Sequence, residues 1–578
     1  MPVKFKIQGH LIRRIVAYTK PYRWLFYGAM AITLVLSGMS IARPLFINAA
    51  IQSVTDQQNQ MHAFYVWCNL ILFSLITESA LQIVNLRMTS ILGQRIVRDL
   101  RNSVFQHLLH RKHAYFDKNT VGTMVTRAVS DIESINDMFS QGFIVIAGDI
   151  LTICIFIGVM LAVNPLLALI AMSTIPLLFI ATALFKRGVK SSFSQVRTAV
   201  ASLNTFIQEH INGMAVVQLF NRQQAEYKKF ITINAEHRKA HIRSILYYSV
   251  FFPVVEILIS ISIALVLWTA GLKHNSWHLG LGELTFFIMM VQLMFRPIRI
   301  LADRLNALQM GFVSAERIFS VLDNTESMED SGTVNFNGLT TAIEFKNVFF
   351  AYKPDEPVIK GISVYFEKGK THAIVGQTGS GKSTIAALMA RFYDPDSGSI
   401  TFDGVPLTQY RMSHIRRKTA LVLQEVHLLN DTIFNNISLR NSEISRAQVL
   451  KGIQELHLDT FISSFEGGLD YKVQERGQSL SSGQRQLIAF IRAYIFNPDI
   501  FILDEATATL DSYTEQYIQT ALQTLLKNRT CILIAHRLST IKHAHCIYVM
   551  HSGQIQEQGS FNTLMALQSH FYTMYNTQ

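Results

Sequence analysis

The chain has 578 residues, of which 49% are apolar and only 16% are charged, and its formal net charge is +12. A soluble protein carries about 25% charged residues, so this composition excludes an ordinary soluble protein, and the length suits two or three domains. Residues 1–320 hold 30 Lys and Arg against 15 Asp and Glu, a net of +15, and the remainder holds 22 against 25, a net of −3. Because the basic excess lies in the apolar half, we expect contact with anionic membrane lipid and no nucleic acid partner.

Six apolar stretches are long enough to cross a bilayer, which takes about 20 helical residues. They cover residues 24–47, 63–86, 139–163, 166–185, 245–272 and 284–301. The connecting segments differ in charge: residues 48–62 contain no Lys or Arg, whereas 87–138 contain eight and 186–243 contain ten. Since positively charged segments stay in the cytoplasm, we expect a multi-pass protein of the cell (inner) membrane with a cytoplasmic N-terminus.

The coarse pattern predicts two domains and a linker. Residues 1–322 form a transmembrane domain whose polar helical segments continue the spans into the cytoplasm, and an amphipathic helix near Leu11 lies on the membrane surface. Residues 323–340 are polar and acidic and indicate a linker. In residues 341–578, short β-rich runs alternate with helical stretches, which predicts a cytoplasmic α/β domain with a mainly parallel sheet.

A glycine-rich run follows a predicted strand and opens a predicted helix. It reads Gly376, Gln377, Thr378, Gly379, Ser380, Gly381, Lys382, Ser383 and Thr384. In this context such a run is typical of a phosphate-binding loop, because backbone N–H groups and the helix N-terminus face the anion. Lys382 would contact the outer phosphates of ATP, and the Ser383 hydroxyl would be a ligand of Mg²⁺.

A buried strand near residues 500–503 ends in two acids, Asp504 and Glu505. Asp504 fits the ligand shell of Mg²⁺, and Glu505 fits the group that orients or deprotonates the attacking water. Taken alone, two acids at this place more often mark a solvated strand end. Their position about 120 residues after a phosphate-binding loop favours the catalytic interpretation.

Shortly before that strand stands Leu480-Ser481-Ser482-Gly483-Gln484. With this run the chain resembles the ATP-binding cassette (ABC) transporters, specifically the exporter-type half-transporters, over almost its whole length. Ser481 and Gly483 would start a helix, so that hydroxyl and backbone donors can face phosphate. In the family this loop, which includes Gln484, completes the ATP site of a partner chain. The resemblance therefore implies a homodimer or a heterodimer with two ATPs held between the chains.

The resemblance assigns further roles around the nucleotide. Tyr352 resembles the aromatic residue that stacks on adenine, and Gln424 resembles the glutamine that contacts Mg²⁺ and senses the membrane domain. His536 resembles the histidine that contacts the γ-phosphate and holds Glu505, and Asp511 resembles the residue that couples the two ATP sites. Taken alone, Tyr352 is more simply a core tyrosine, and a lone histidine is usually structural.

The resemblance also implies contacts that couple the two domains. The first coupling helix would contain Phe116 and Asp117, and the second would lie near Gly213. A loop with Glu475 and Arg476 would contact the tips of the membrane helices. It departs from the usual family sequence at Tyr471, Lys472 and Gln474.

Charged residues inside the spans point to the transported molecule, since they are costly in lipid and usually functional. We expect Arg43, Glu78 and Glu256 to face a central cavity, where they contact substrate or each other; the alternative is pairing at helix interfaces. The Phe and Met content of this half suits an amphipathic substrate such as a lipid or a drug. Peptides and siderophores stay open as cargo. Export or leaflet flipping by alternating access is the leading function, and an ATP-gated channel or a regulatory protein is the alternative.

Overall fold

The computed structural model describes residues 9–55, 61–272, 280–324, 330, 332–504, 512–527, 529–534 and 541–577. The chain divides into two compact units. One consists of Met1–Leu109 and Val121–Thr325, and the other of His110–Thr120 and Glu326–Gln578. The short segment His110–Thr120 is therefore part of the second unit, although it lies between helices of the first.

The first unit is helical almost throughout its described residues. Its helices are Gly9–Ala17, Arg23–Thr55, Met61–Leu109, Val121–Val163, Pro165–Asn212, Met214–Leu219, Gln223–Leu272 and Leu281–Leu322. Six helical stretches are long and apolar enough to cross a membrane, which confirms the predicted six-helix architecture. The helix Gln223–Leu272 has 50 residues, roughly 75 Å at 1.5 Å per residue. It thus far exceeds the ~30 Å hydrocarbon core, as expected for spans with polar helical extensions.

The first helix of this unit packs its apolar face against the end of the last one. Ile15 is buried in a cluster that includes Phe319. Arg14 lies over the Phe319 ring, 4.2 Å from its centroid, and donates two hydrogen bonds of 2.6 and 2.7 Å to the carboxylate of Asp323. The amphipathic helix predicted for a membrane surface thus has a protein partner within the unit.

The described part of the second unit contains two sheets. The strands are β1 (Ala342–Lys353), β2 (Glu356–Glu367), β3 (Thr371–Gly376), β4 (Ser397–Phe402), β5 (Val405–Pro406), β6 (Thr419–Val422), β7 (Ile500–Asp504), β8 (Thr530–Ile534), β9 (Cys546–His551) and β10 (Gln554–Gly559). The α-helices are His113–Lys118, Lys382–Met389, Met412–Lys418, Ile433–Ser438, Arg446–Glu455, Asp459–Ser463, Ser482–Ile495, Ser512–Leu526, Phe561–Ala566 and His570–Thr577.

The larger sheet has the order β10-β9-β3-β8-β7-β6. Its strands run parallel except β10, which pairs antiparallel with β9. β7 and β8 are buried at every position, as continuous apolar runs in a covered parallel sheet should be. The register aligns Ile374, Ile534 and Asp504 across three strands. Their carboxyl ends therefore meet at one edge, where ligands bind in open α/β sheets.

A smaller antiparallel sheet, with the order β2-β1-β4-β5, has no counterpart in the sequence-based prediction. It places Phe345, Phe366 and Phe402 in a core that it shares with β3, β7 and β8. Phe336 and Leu339 belong to the same core and are each 3% exposed. The end of the segment predicted as a linker therefore folds with the second unit.

Candidate functional site

The glycine-rich loop joins β3 to the helix Lys382–Met389, in the strand–loop–helix context that the sequence predicts. Gly376 has φ +154°, and a Cβ there would lie 2.1 Å from the Met550 carbonyl oxygen. Gly379 and Gly381 have φ of +82° and +102°, a region that side chains disfavour. The loop shape therefore depends on glycine at these positions.

Lys382 is held in the loop at 5% exposure. Its ammonium group donates hydrogen bonds of 2.8 and 3.0 Å to the carbonyls of Gly376 and Gln377. Burial lowers the pKa of Lys382, and the negative charge of Asp504 acts in the opposite direction. A buried cation at a helix N-terminus provides a strong electrostatic site for a phosphate chain.

Oxygen-bearing side chains surround this cation and fit a Mg²⁺ ion. Asp504 is 8% exposed at the carboxyl end of β7, and Ser383 lies in the first turn of the helix. The buried Ser380 hydroxyl has no hydrogen-bond partner among the described residues. Hydroxyl and carboxylate oxygens are the ligands that Mg²⁺ prefers, so Ser383 and Asp504 suit the predicted ion.

Of the remaining catalytic and coupling residues predicted beside the nucleotide, Gln424 is described by the structure and three are not. Gln424 is exposed two positions after β6, whose Val422 pairs with Leu503 of β7. It therefore follows the same sheet edge as Asp504. The predicted residues Glu505, Asp511 and His536 lie outside the described residues.

Tyr352 is partly exposed and belongs to a cluster of three aromatic rings. Its ring centroid lies 4.9 Å from that of Phe350 and 5.2 Å from that of Tyr393. The Tyr352 hydroxyl donates a 3.2 Å hydrogen bond to the Thr384 hydroxyl of the phosphate loop. The Tyr352 ring is therefore exposed beside the phosphate loop. The sequence gives no signal for Tyr393, which follows the loop helix without a recognisable pattern.

The predicted first coupling helix, His113–Lys118, contacts the same cluster within the second unit. The Tyr393 hydroxyl donates a hydrogen bond to the Asp117 carboxylate, and the His113 ring stacks on Tyr393 at 6.1 Å. Phe116 is partly exposed. Asp117 is therefore joined to Tyr352 through Tyr393, a connection that the sequence does not reveal.

Ser481 caps the exposed N-terminus of the helix Ser482–Ile495. Its N–H donates to the Gln484 side-chain oxygen at 2.9 Å, and the Gln484 N–H donates to the Ser481 hydroxyl at 3.2 Å. Gly483 is buried in the first turn. Among the described residues, no hydrogen bond links this helix start to the glycine-rich loop. The structure therefore forms the helix predicted to start at Ser481 and Gly483, and in the described part of the chain no hydrogen bond joins it to the phosphate loop.

The other predicted coupling residues lie at exposed turns. Glu475 and Arg476 are exposed in a short 3₁₀ turn, where Arg476 has φ +55°. Gly213 separates the helices Ile175–Asn212 and Met214–Leu219. The tip that follows, residues 214–220, exposes Leu219 at 80% and Phe220 at 68%.

A cavity of about 860 Å³ lies in the second unit, and its wall includes Leu423 and Glu425, the two neighbours of Gln424 in sequence. Its wall includes three arginines, Arg416, Arg417 and Arg492, and apolar side chains such as Leu423, Val426 and Ile444. The sequence does not predict this cavity, because its lining comes from three separate stretches of the chain, within residues 413–427, 439–444 and 489–498.

The structure brings together two of the three predicted substrate residues. Arg43 donates a 2.5 Å hydrogen bond to the Glu78 carboxylate, and both line a cavity of about 460 Å³ in the first unit. Glu256 lines a different, open pocket with Phe252 and Pro253. Glu256 is thus not placed with the Arg43–Glu78 pair.

Comparisons with known proteins cover both units. Residues 26–298 match the family described as the ABC transporter transmembrane region, and residues 359–508 match the family described as ABC transporter. The ABC transporter ATP-binding protein YknV of Bacillus subtilis, itself uncharacterized, is 32% identical over 96% of this chain and 92% of its own length. The ATP-dependent lipid A-core flippase of Nitrosococcus oceani is 32% identical over 98% of this chain and 95% of its own. A bacterial Atm1-family ABC exporter with ATP bound has a similar structure, with a TM-score of 0.78, 25% identity and coverage of 96% and 98%.

Proposed function

The chain belongs to the ABC transporter family, and on that premise we propose that it is one half of a two-chain exporter for an amphipathic substrate. Family membership makes it an ATP-hydrolysing, multi-pass membrane protein that drives export. The two-chain arrangement, the residue roles and the substrate class are the proposal.

One observation carries the two-chain arrangement. The chain contains a phosphate loop at Gly376–Ser383 and a capped helix start at Ser481, and no hydrogen bond among the described residues joins them. An exposed helix N-terminus offers N–H donors to an anion. We infer that the Ser481 end closes the ATP site of a second chain, and that the second chain closes this one. The partner is a second copy of this chain or a sister chain.

The exposed tip and the cavity of the second unit support the same arrangement. Leu219 and Phe220 expose large apolar surfaces, and apolar side chains such as Leu423 and Val426 line the cavity. Exposed apolar patches of this kind mark interaction sites. We infer that the tip of one chain enters this cavity in its partner, beside Gln424.

Within each ATP site the residues have different proposed roles. Lys382 and the loop N–H groups hold the phosphates, Tyr352 stacks on adenine, and Ser481 and Gly483 of the second chain contact the γ-phosphate side. Glu505 orients or deprotonates the attacking water, and His536 holds Glu505 and contacts the γ-phosphate. Ser383, Asp504 and Gln424 would hold Mg²⁺, which would neutralise charge at the phosphates. Closure on ATP would turn the substrate cavity outward, and hydrolysis would reset it.

The asymmetry of positive charge supports the proposed orientation. Residues 87–138 and 186–243 carry 18 Lys and Arg together (8 + 10), whereas residues 48–62 carry none. By the positive-inside rule, the N-terminus and the ATP sites would face the cytoplasm of a cell (inner) membrane.

One alternative concerns the function of the chain, and another concerns its cargo. An ATP-gated channel or regulatory protein would use the same domains, and the intact Lys382, Asp504 and Glu505 favour a chain that hydrolyses ATP repeatedly. Peptides and siderophores are alternative cargo. An amphipathic substrate is favoured because apolar side chains and charged pairs share one cavity in the first unit.

Complementation between two inactive variants tests the shared site. Lys382→Ala disables the phosphate loop of one chain, and Gly483→Asp disables the helix start at Ser481 in the other chain. In a mixed dimer of these variants, one composite site retains both intact halves. ATP hydrolysis by the mixture above the sum of the two variants is expected, and no gain over that sum would contradict a shared site.

Transport is tested with the purified chain in vesicles. ATP-dependent accumulation of a fluorescent lipid analogue is expected for the wild type and not for Glu505→Gln. Mass measurement of the same sample distinguishes a pair of identical chains from a chain that needs a sister. Ion current without ATP-dependent accumulation would favour the channel.

A further inference from the structure

A cavity of about 460 Å³ in the first unit is lined by five charged side chains. They are Arg43, Glu78, Asp149, Arg296 and Arg304. Three of them are cations and two are anions, so the lining has a net charge of +1. Charged groups inside a membrane domain are costly and face protein or a water-filled cavity.

Two ion pairs account for four of these charges. Arg43 donates to one oxygen of Glu78 at 2.5 Å, and Gln82 donates to the other at 3.3 Å. Arg304 donates a hydrogen bond to Asp149. Each carboxylate is thus matched by one guanidinium, and the pairs contribute no net charge to the cavity.

Arg296 is the fifth charge and has no ion-pair or hydrogen-bond partner among the described residues. It lies in the candidate span Leu281–Ile300, roughly 22 Å from Leu281 along the helix at 1.5 Å per residue. Arg296 stands four residues before the end of that span, where a charge costs less than at the bilayer centre. Its place in the cavity wall gives its charge a polar environment.

The same wall also offers apolar surface. Phe156, Met289 and Leu293 line the cavity with the charged groups. Met side chains adapt to irregular apolar shapes. The cavity therefore combines one uncompensated cation with a surface that accepts acyl or aromatic groups.

We propose that this cavity binds amphiphiles with a single anionic group, and that Arg296 is the cation that recognises it. This inference rests on the proposed export function and names the substrate class. Arg43 and Glu78, which the sequence suggests as contacts of the substrate or of each other, form an ion pair and line the cavity. Arg296 makes the charged contact with the substrate.

The test uses purified wild-type protein in phosphatidylcholine nanodiscs. Three short-chain dihexanoyl lipids serve as probes: phosphatidylglycerol with one negative charge, phosphatidylcholine with none, and a trimethylammonium-propane lipid with one positive charge. The readout is the lipid concentration that gives half-maximal stimulation of ATP hydrolysis. We expect phosphatidylglycerol to act at the lowest concentration, and inorganic phosphate alone to give no stimulation.

Three variants separate recognition by Arg296 from general charge effects. Arg296→Gln should raise the half-maximal phosphatidylglycerol concentration about tenfold, whereas Arg296→Lys should stay within about threefold. Arg299→Gln is the matched control: it removes the same charge from the same helix, but Arg299 lies over the Phe252 ring at 5.8 Å and not in the cavity wall. It should behave as the wild type. Melting temperatures establish that all three variants are folded.

The outcomes separate this inference from the export proposal. Equal stimulation by the three lipids, or equal behaviour of Arg296→Gln and Arg299→Gln, overturns the single-anion site and leaves export standing. Stimulation by inorganic phosphate alone overturns the amphiphile requirement. ATP hydrolysis that no lipid stimulates, without ATP-dependent movement of any of them, overturns both.

Discussion

The Tyr393 hydroxyl donates a hydrogen bond to the Asp117 carboxylate. Tyr393 also packs on Tyr352, with ring centroids 5.2 Å apart, and Tyr352 donates to Thr384 of the phosphate loop at 3.2 Å. Asp117 is therefore connected to the nucleotide-binding loop through two aromatic side chains. Contiguous contacts of this kind are a physical route for coupling.

Removing the Tyr393 hydroxyl should weaken this coupling. Tyr393→Phe keeps the ring and loses the hydrogen bond to a charged acceptor, so we expect the ratio of substrate-stimulated to basal ATP hydrolysis to fall roughly three- to tenfold. Tyr494→Phe is the control, because it removes a 2.7 Å tyrosine–carboxylate bond to Glu455 elsewhere in the same unit. Identical ratios in both variants and the wild type would show that the Asp117 contact transmits nothing.

The Ser481 cap should have two separable effects. Ser481→Ala removes the cap of the helix Ser482–Ile495, at about 1 kcal/mol of stability, and also removes the hydroxyl proposed to face the partner's ATP. Ser445→Ala is a matched control, because Ser445 and Gln448 form the same capping box on Arg446–Glu455. We expect similar losses in melting temperature and a large loss of ATP hydrolysis in Ser481→Ala alone. Equal rates of ATP hydrolysis in the two variants would mean that Ser481 only caps its helix and does not contact the partner's ATP.

Two glycines of the phosphate loop should differ in their tolerance of a methyl group. A Cβ at Gly376 would lie 2.1 Å from a backbone carbonyl oxygen, whereas a Cβ at Gly379 meets no atom within 4 Å. Gly379→Ala carries mainly the strain of its positive φ, roughly 1–2 kcal/mol, and should fold. Gly376→Ala must displace backbone and should destabilise the protein much more. The melting temperatures of the two variants test this. A lower melting temperature for Gly379→Ala than for Gly376→Ala would contradict the loop geometry.

The Arg14–Asp323 pair should give a pH-dependent contribution to stability. The hydrogen bond from Arg14 lowers the pKa of Asp323 below its usual value, which is about 3.9. Because the folded-state pKa is lowered, the contribution is complete above pH ~4 and is lost as the pH falls through the folded value. The pair is partly exposed, so its contribution is about 0.5–1 kcal/mol.

The variant Asp323→Asn tests the direction of this pH dependence. At pH 7 the wild type should melt at a higher temperature than the variant, and at pH 3 the difference should shrink, since protonated Asp323 then resembles Asn. A difference of the same size at both pH values would mean that the charge of Asp323 does not stabilise the helix end.

The features that the sequence predicts well depend on local signals. Span length follows from uninterrupted apolar runs, and the phosphate loop follows from glycines between a strand and a helix. The strands β7 and β8 are continuous apolar segments that end where the site begins. In each case the residues that determine the structure are neighbours in sequence, so one chain is enough to recognise them.

The features that the sequence does not predict depend on distant pairings. Ile343 of β1 pairs with Phe366 on one side and Phe402 on the other. No local sequence pattern predicts this smaller antiparallel sheet. Arg296 stands near the end of an apolar stretch, where a charge is unremarkable, and its significance appears once Arg43 and Arg304 are seen with their partners. Glu256 shares a membrane span with apolar neighbours, yet its helix face leads to a different pocket.

The exposed tip at Leu219 and Phe220 also bears on the fate of a newly made chain. In the proposed orientation, an unassembled subunit would present this apolar surface to the cytosol, where holding chaperones and proteases recognise such patches. Assembly would hide it. We therefore expect cellular abundance to follow pairing: chains without a partner would be degraded, and the less abundant subunit would set the number of working exporters.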